Sequence, residues 1–225
     1  MKTIDFSTIL ASSVHDVKNS LTLLINKIDE ISAITADKKN KSELEQLQYH
    51  GKRISSHLIQ LLVLYRIEQA HYFANITETG IKDFLNESLE LYFPLFAQKN
   101  ISITIQCADE LYWYIDRELI NGAITNIMNN LYAHAQSAIE ITAYTENNRF
   151  VLQIKDDGNG YPEEVLHSRT SGQQKNFSFT SSNTGLGLYF SEIAAEMHQN
   201  NGKSGAITIS NDGINGGGCI SIDLP

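Results

Sequence analysis

The sequence predicts two units of different fold class: an α-helical hairpin, followed by an α+β sandwich in which one mixed sheet carries helices on one face. Apolar residues at helical spacing in the first third, and alternating apolar residues in the remainder, lead to this division. All three prolines lie at or after Pro94, so none interrupts a helix in the first third. We therefore predict one unit over residues 1–72 and another over residues 73–225.

Two apolar seams define the hairpin. In each seam, apolar residues recur in steps of three and four, which is the spacing of helices that pack against other helices. The first seam comprises Leu10, Val14, Val17, Leu21, Leu24, Ile28 and Ile31, and the second comprises Leu44, Leu47, Ile54, Leu58, Leu61 and Tyr65, interrupted by Gly51. A polar stretch over residues 35–41 separates them. Because two helices alone bury little surface, we expect a homodimer in which two hairpins form a four-helix bundle.

The second unit mixes shorter helices with strands. Period-two alternation predicts the strands, and amphipathic spacing predicts the helices. The predicted helices cover residues 84–96, 116–135 and 186–197, and the predicted strands cover residues 101–107, 139–144 and 150–154, with two more strands at the end of the chain.

Composition and charge narrow the possible functions. The chain has 225 residues, of which 42% are hydrophobic and 19% charged, as is typical of a globular protein. Its net charge is -9, and Lys and Arg form no basic patch interleaved with aromatic residues, so we expect no nucleic-acid binding. Cys107 and Cys219 show neither metal-ligand nor disulfide spacing and are expected to be reduced core residues.

The distribution of apolar residues also indicates where in the cell the protein is expected. No apolar stretch approaches the ~20 residues that cross a bilayer, and the N-terminus lacks the pattern of a signal peptide. We therefore expect a cytoplasmic protein without a membrane segment. If Met1 is the native start, the chain has no sensor domain of its own, and a separate sensor protein becomes a candidate partner.

Three polar residues stand close together on the first predicted helix. His15 follows Val14, which lies on the seam, so the His15 side chain is expected to face outward beside the packed stripe. Asp16 is adjacent to it, and Asn19 shares its helical face. An exposed histidine most often has no chemical role. Here, however, a nucleophilic imidazole, a carboxylate that can orient it and accept its proton, and an amide that can position water fall within five residues.

Residues 15–21, His-Asp-Val-Lys-Asn-Ser-Leu, resemble the phosphoacceptor H box of two-component sensor histidine kinases. The family pattern is His, acidic, any, basic, Asn or Thr, usually Pro, then Leu. The resemblance implies that His15 accepts phosphate and that Asp16 is its acid/base partner. It also implies that Asn19 positions the attacking water when a response regulator is dephosphorylated. Ser20 replaces the common proline, so we expect a weaker helix bend there.

Asn126-Ile127-Met128-Asn129-Asn130 lies in the helix predicted over residues 116–135. Asn126 and Asn130 share a helical face, where amide oxygens suit Mg²⁺, although such residues are more often simply solvated. The segment resembles the N box of the same family, which implies Asn130 as the main Mg²⁺ ligand and Asn126 as its assistant. Related ATP hydrolases carry Glu at position 126, and Asn cannot replace it as a general base, so transfer to histidine is favoured over hydrolysis. Ala133 stands where the family has a basic residue.

Two glycine-rich segments follow. Asp156-Asp157-Gly158-Asn159-Gly160 resembles the G1 box, which implies that Asp156 accepts the adenine amine beside Gly158 and Gly160. Thr184-Gly185-Leu186-Gly187-Leu188 resembles the G2 box and opens a helix, where backbone N–H groups suit phosphate oxygens. Residues 173–179 between them resemble the mobile lid, from which Lys175 is a candidate phosphate contact.

The four segments occur in the family's order over nearly the whole chain. Together they imply a Bergerat/GHKL-type ATPase domain that uses ATP and Mg²⁺, autophosphorylation of His15, transfer to an Asp of a response-regulator receiver domain, and a phosphatase activity. Two alternatives remain open. One is a non-catalytic histidine phosphotransfer protein with a degenerate ATPase-like domain, favoured by Ala133 and by the missing sensor. The other is a regulatory module that modulates another kinase.

Overall fold

The computed structural model describes residues 6–35, 37–170 and 186–225. The chain divides into two compact units, Met1–Phe73 and Ala74–Pro225. Among the described helices, none combines the length and the apolar character that crossing a membrane requires.

The N-terminal unit is a hairpin of α1 (Phe6–Ile34) and α2 (Lys38–Glu68). The connection is shorter than the predicted polar stretch because Asp37 caps α2, accepting a hydrogen bond from the Lys39 N–H at 3.2 Å. Gly51 of α2 faces Ile25 of α1, where an ideal Cβ would lie 3.1 Å from Ile25 Cγ1. Farther along α1, the Asp29 carboxylate accepts a hydrogen bond from the Gln48 side chain, so the two helices run antiparallel.

Each predicted seam separates into two series with a spacing of seven residues. Buried or half-buried positions form one series on each helix: Val14, Leu21 and Ile28 on α1, and Leu44, Gly51, Leu58 and Tyr65 on α2. Exposed positions form the other: Val17 (45%), Leu24 (53%) and Ile31 (42%) on α1, and Leu47 (56%), Ile54 (51%) and Leu61 (42%) on α2. Both helices therefore carry an apolar stripe that the hairpin does not cover.

The C-terminal unit is built on a five-stranded mixed sheet. Its strands are β2 (Ser102–Cys107), β4 (Ala138–Glu146), β5 (Arg149–Asp156), β8 (Ala206–Ser210) and β9 (Cys219–Leu224). They lie in the order β2-β4-β5-β9-β8, with β2 parallel to β4 and the other neighbours antiparallel. Two small antiparallel ribbons pair β1 (Thr77–Gly80) with β3 (Tyr112–Ile115), and β6 (Gln199–Asn200) with β7 (Lys203–Ser204).

The helices of this unit are α3 (Ile81–Leu89), α4 (Tyr92–Ala97), α5 (Arg117–His134), α6 (Glu163–Thr170) and α7 (Leu186–Glu196), and a 3₁₀ turn covers Ile214–Gly216. The prediction of one continuous helix over residues 84–96 is wrong, because α3 and α4 are separate. In a continuous helix, the Pro94 ring would meet the carbonyl group of Glu90 four residues earlier.

One face of the sheet is apolar and the other is polar. The apolar face meets the buried side of α5, and its fully buried side chains include Leu119, Ile120, Ile124 and Met128 from the helix, and Ile139, Ile141 and Phe150 from the strands. The opposite face carries a polar row across all five strands, formed by Gln106, Thr142, Gln153, Ser221 and Thr208. This pattern confirms the predicted α+β sandwich with helices on one face.

Candidate functional site

His15 stands on an open face of α1 together with Asp16 and Asn19. The side chains of His15 and Asp16 are 68% and 76% exposed, and His15 Nδ1 lies 3.4 Å from Asp16 Oδ1. Asn19 Nδ2 lies 3.3 Å from Nδ1 and 3.4 Å from Nε2 of the same ring. With a proton on Nδ1, the ring donates to Asp16, and the Nε2 lone pair either accepts from the Asn19 amide or acts as a nucleophile. The arrangement therefore offers a nucleophilic nitrogen with a carboxylate behind it.

Ser20 keeps α1 regular one turn after His15. Its Oγ donates to the Asp16 carbonyl oxygen at 3.0 Å, and the helix continues to Ile34. Serine retains the backbone N–H that the family's usual proline lacks, so the helix is not interrupted at this position. A shallow groove runs beside it, lined by Asp16, Val17, Ser20, Leu21 and Leu24.

Asp156 ends β5 and is 6% exposed. Its Oδ1 accepts a hydrogen bond from the Gly158 N–H at 2.7 Å. Burial raises the pKa of this carboxyl group, opposed by the backbone N–H groups of Gly158 and Gly218. An ideal Cβ on Gly218 would lie 2.6 Å from Asp156 Oδ2, so only glycine lets the backbone approach this oxygen so closely. A buried carboxylate is an acceptor that suits an N–H donor of a ligand.

The loop after Asp156 is held by a residue from the far end of the chain. Asn211 Oδ1 accepts a hydrogen bond from the Tyr161 N–H at 2.7 Å, and Asn211 Nδ2 donates to the Tyr161 carbonyl oxygen at 3.0 Å. Gly160 has a positive φ of 70°, and an ideal Cβ on it would lie 2.6 Å from Asn211 Oδ1. Sequence reasoning missed Asn211, since nothing local links it to a loop 50 residues earlier.

Asp157 ties the same loop to the end of α5. Its carboxylate accepts hydrogen bonds from the Ser137 N–H at 2.9 Å, the Ser137 hydroxyl group at 2.5 Å and the Gln136 N–H at 2.9 Å. Burial alone would raise the pKa of Asp157, but the hydrogen bonds from Ser137, Gln136 and Ala138 hold that pKa well below its usual range. Of the two adjacent aspartates, Asp157 is therefore the anchor of the loop.

The two predicted nucleotide segments on α5 and α7 meet at Asn126. This residue is 5% exposed, and its Nδ2 donates to the Gly187 carbonyl oxygen at 2.9 Å. Asn130, one turn farther along α5, is exposed, whereas Leu186 and Leu188 are half-buried at the start of α7. The other predicted residues of this region, Lys175, Thr184 and Gly185, lie outside the described residues.

The described residues contain no cluster of acidic, histidine or cysteine side chains that could hold a metal ion. Within residues 6–35, 37–170 and 186–225, no group of three or more His, Cys, Asp or Glu side chains could hold a metal ion. A cation beside Asn126 and Asn130 would therefore use amide oxygens together with ligands from a substrate. Lys99 does not replace the basic residue missing at Ala133, because its Nζ donates to the Tyr132 carbonyl oxygen at 2.6 Å and lies 3.8 Å from the Tyr132 ring centroid.

Comparison with known sequences assigns the C-terminal unit. Residues 115–225 match the family described as histidine kinase-, DNA gyrase B- and HSP90-like ATPase. Sensor histidine kinase SpaK of Bacillus subtilis is 23% identical over 222 residues, which cover 96% of this chain and 47% of SpaK. Sensor histidine kinase GraS of Staphylococcus haemolyticus is 27% identical over 186 residues, which cover 80% of this chain and 51% of GraS. The chain thus spans about half the length of these curated relatives.

Solved structures show the same fold. The Acinetobacter baumannii histidine kinase AdeS matches with a TM-score of 0.60 at 17% identity, covering 92% of this chain and 95% of the AdeS chain. Full-length ShkA in complex with AMPPNP matches with a TM-score of 0.64 at 17% identity, covering 97% of this chain and 45% of ShkA. Residues 115–225 therefore form a histidine kinase-, DNA gyrase B- and HSP90-like ATPase domain, and the chain as a whole has the fold of the solved histidine kinases.

Proposed function

We propose that this chain binds ATP and Mg²⁺ in its C-terminal unit and transfers the γ-phosphoryl group of ATP to His15. The observation that carries this proposal is the exposed His15 ring with Asp16 and Asn19 beside it, in the same chain as an ATPase domain. The ATPase-family match and the similarity to sensor histidine kinases support the reaction type.

The transfer uses the His15 tautomer that carries its proton on Nδ1, beside Asp16 Oδ1. The lone pair on Nε2 attacks the γ-phosphorus, the bond from this phosphorus to the oxygen that bridges it to the β-phosphate breaks, and ADP leaves with that electron pair. Asp16 accepts the hydrogen bond from Nδ1–H and stabilises the positive charge that develops on the ring. The remaining catalysis is positioning and electrostatic stabilisation of the transferred group.

The nucleotide would be held from two sides of the C-terminal unit. Asp156 Oδ2, close to Gly218, would accept a hydrogen bond from the exocyclic amine of adenine, and the backbone N–H groups around Gly187 fit phosphate oxygens. Asn130 and Asn126 would hold Mg²⁺, which neutralises phosphate charge. Neutralisation matters here because residues 74–225 contain 18 Asp and Glu but only 8 Lys and Arg. Lys175, Thr184 and Gly185 remain proposed phosphate contacts.

The active form would be a homodimer formed through the hairpin. The exposed stripe of Val17, Leu24 and Ile31 on α1 runs with the same seven-residue spacing as the stripe on α2. A second hairpin with the same spacing would cover both stripes and complete a four-helix bundle.

A response-regulator receiver domain would take the phosphate from His15 onto an aspartate. The nearby amide of Asn19, 3.4 Å from His15 Nε2, would position water for the reverse dephosphorylation of that regulator. Both activities would use the same open face of α1, because His15 and Asn19 lie one helical turn apart.

A non-catalytic phosphotransfer role is the second candidate. Ala133 removes the basic residue of the N box, and Lys99 is engaged by Tyr132, which favours a weak ATP site. The buried carboxyl group of Asp156 argues against this role, since a relay needs no nucleotide pocket. Modulation of another kinase is a third, less supported role that pull-down against partner kinases would reveal.

Incubation of the purified chain with Mg²⁺ and γ-labelled ATP tests the proposal. We expect a label that is labile in acid, stable in alkali and absent from His15→Ala. His50→Ala, which removes another exposed histidine of the hairpin, is the matched control and should retain the label. Label that persists in His15→Ala would contradict the proposal, and a wild-type chain that binds no nucleotide would favour the phosphotransfer role.

A further inference from the structure

His198 follows α7 and is almost fully buried, at 3% exposure. Its Nδ1 lies 2.7 Å from the Ala194 carbonyl oxygen, and since a carbonyl group only accepts, Nδ1 carries the ring proton. Its Nε2 accepts a hydrogen bond from the Asp116 N–H at 2.9 Å. A neutral imidazole has one donor and one acceptor, and here both are used.

Asp116 is the N-cap residue of α5, directly before Arg117. Its Oδ1 accepts hydrogen bonds from the Glu118 and Leu119 N–H groups, both at 3.0 Å, and its Oδ2 accepts one from the Asn75 N–H at 2.8 Å. Asp116 is 2% exposed, so this cap is shielded from water. His198 therefore joins the end of α7 to the capped beginning of α5.

α5 and α7 lie antiparallel and touch at three levels. The contacts follow in reverse order along the two helices: Asn126 with Gly187, Gly122 with Phe190, and Asp116 with His198. The middle contact is close, because an ideal Cβ on Gly122 would lie 2.6 Å from Phe190 Cε1. Side-chain hydrogen bonds thus hold both ends of the pair, and the ring packing holds its centre.

We propose that His198 is a positioning residue of the nucleotide site, which fixes the axial position of α7 on α5 and thereby places Gly187 against Asn126. This inference rests on the proposed function. His198 lies at the opposite end of α7 from Gly187, so it acts through the helix and does not touch the nucleotide. Only the neutral ring can hold Asp116 in this way, since a proton on Nε2 would face the Asp116 N–H and prevent that hydrogen bond.

The environment of His198 keeps the ring neutral. Burial lowers the pKa of His198, opposed by the hydrogen bond to the Ala194 carbonyl group and by the charge of Asp116, the charged group that faces the ring. The two hydrogen bonds are therefore maintained at neutral pH, where the nucleotide would bind.

Two substitutions in the full chain separate positioning from packing. His198→Phe keeps an aromatic ring but loses both hydrogen bonds, whereas His198→Gln retains one donor and one acceptor. We expect His198→Phe to speed backbone hydrogen exchange over residues 187–191 and to weaken ADP binding about tenfold, as the loss of one to two hydrogen bonds implies. His198→Gln should restore much of both. Ile222→Val, a core change on β9, is the matched control and should leave exchange over residues 187–191 unchanged.

Unchanged exchange over residues 187–191 in His198→Phe would overturn the inference, and so would ADP affinity equal to that of the wild type. If the wild-type chain binds no ADP, the proposed function fails, and the exchange measurement in the absence of nucleotide still decides whether His198 fixes α7. Faster exchange in His198→Phe, but not in Ile222→Val, supports the positioning role.

Discussion

Replacing Asp116 with alanine is expected to lower the free energy of unfolding of the C-terminal unit by about 3 kcal/mol. The side chain accepts hydrogen bonds from the N–H groups of Glu118, Leu119 and Asn75 at 2.8 to 3.0 Å. Loss of an N-cap costs about 1 kcal/mol, and loss of a further hydrogen bond to a charged acceptor costs about 1.5–3 kcal/mol. The Leu119 N–H is buried, so water does not readily replace its acceptor.

Urea titration followed by the fluorescence of Trp113 measures this loss. Trp113 is the chain's single tryptophan and lies on β3, three residues before Asp116, so it reports on the C-terminal unit. Asp116→Asn keeps the oxygen that caps α5 but places an N–H donor opposite Asn75, and should cost about half as much as alanine. Asp109→Ala, an exposed carboxylate paired with Lys82, should change the stability by less than about 0.5 kcal/mol. A loss below about 1 kcal/mol for Asp116→Ala would refute the assigned role of this cap.

Three further predictions concern other parts of the chain. Ala70 follows α2 with φ +55° in a left-handed C-terminal cap, so Ala70→Gly should stabilise the hairpin by about 0.5–1 kcal/mol in thermal unfolding followed by helical circular dichroism. The pKa of His198 is lowered from 6.5, so in acid this side chain binds a proton more readily in the unfolded chain than in the folded chain. The free energy of unfolding should therefore decrease as the pH is lowered below 6.5, and less steeply in His198→Gln, as urea titrations at pH 7.5 and about 5.5 would show. Gly218→Ala should crowd the carboxylate of Asp156 and weaken ADP binding about tenfold or more in isothermal titration calorimetry, whereas equal affinity would place adenine elsewhere.

The sequence predicts the long elements of this fold well because their periodicity is strong. The helix of Arg117–His134 and the strands of Ala138–Glu146 and Arg149–Asp156 lie within a few residues of their predicted positions. The ribbon strands were not predicted, since Gln199–Asn200 and Lys203–Ser204 have only two residues each and show no alternation. The break between α3 and α4 was missed although Pro94 marks it.

The candidate site also contains some residues that the sequence predicts and others that it does not. The group around His15 and the two asparagines of α5 are local in sequence, so their spacing on a helix is enough to predict which side chains share a face. The residues that hold these segments in place are distant in sequence. Asp116 meets His198 across 82 residues, and no local pattern indicates that contact. A buried histidine with two hydrogen bonds cannot be distinguished by sequence from one that simply packs.

Locating the phosphate after reaction with Mg-ATP tests the proposed phosphorylation of His15 most directly. Proteolysis and mass spectrometry at alkaline pH, which preserves a phosphorus–nitrogen bond, would identify the modified residue. We expect one added phosphate on the peptide that contains His15, lost after acid treatment and absent from His15→Ala. Phosphate on a different residue, or no modification in a chain that binds ATP, would contradict it.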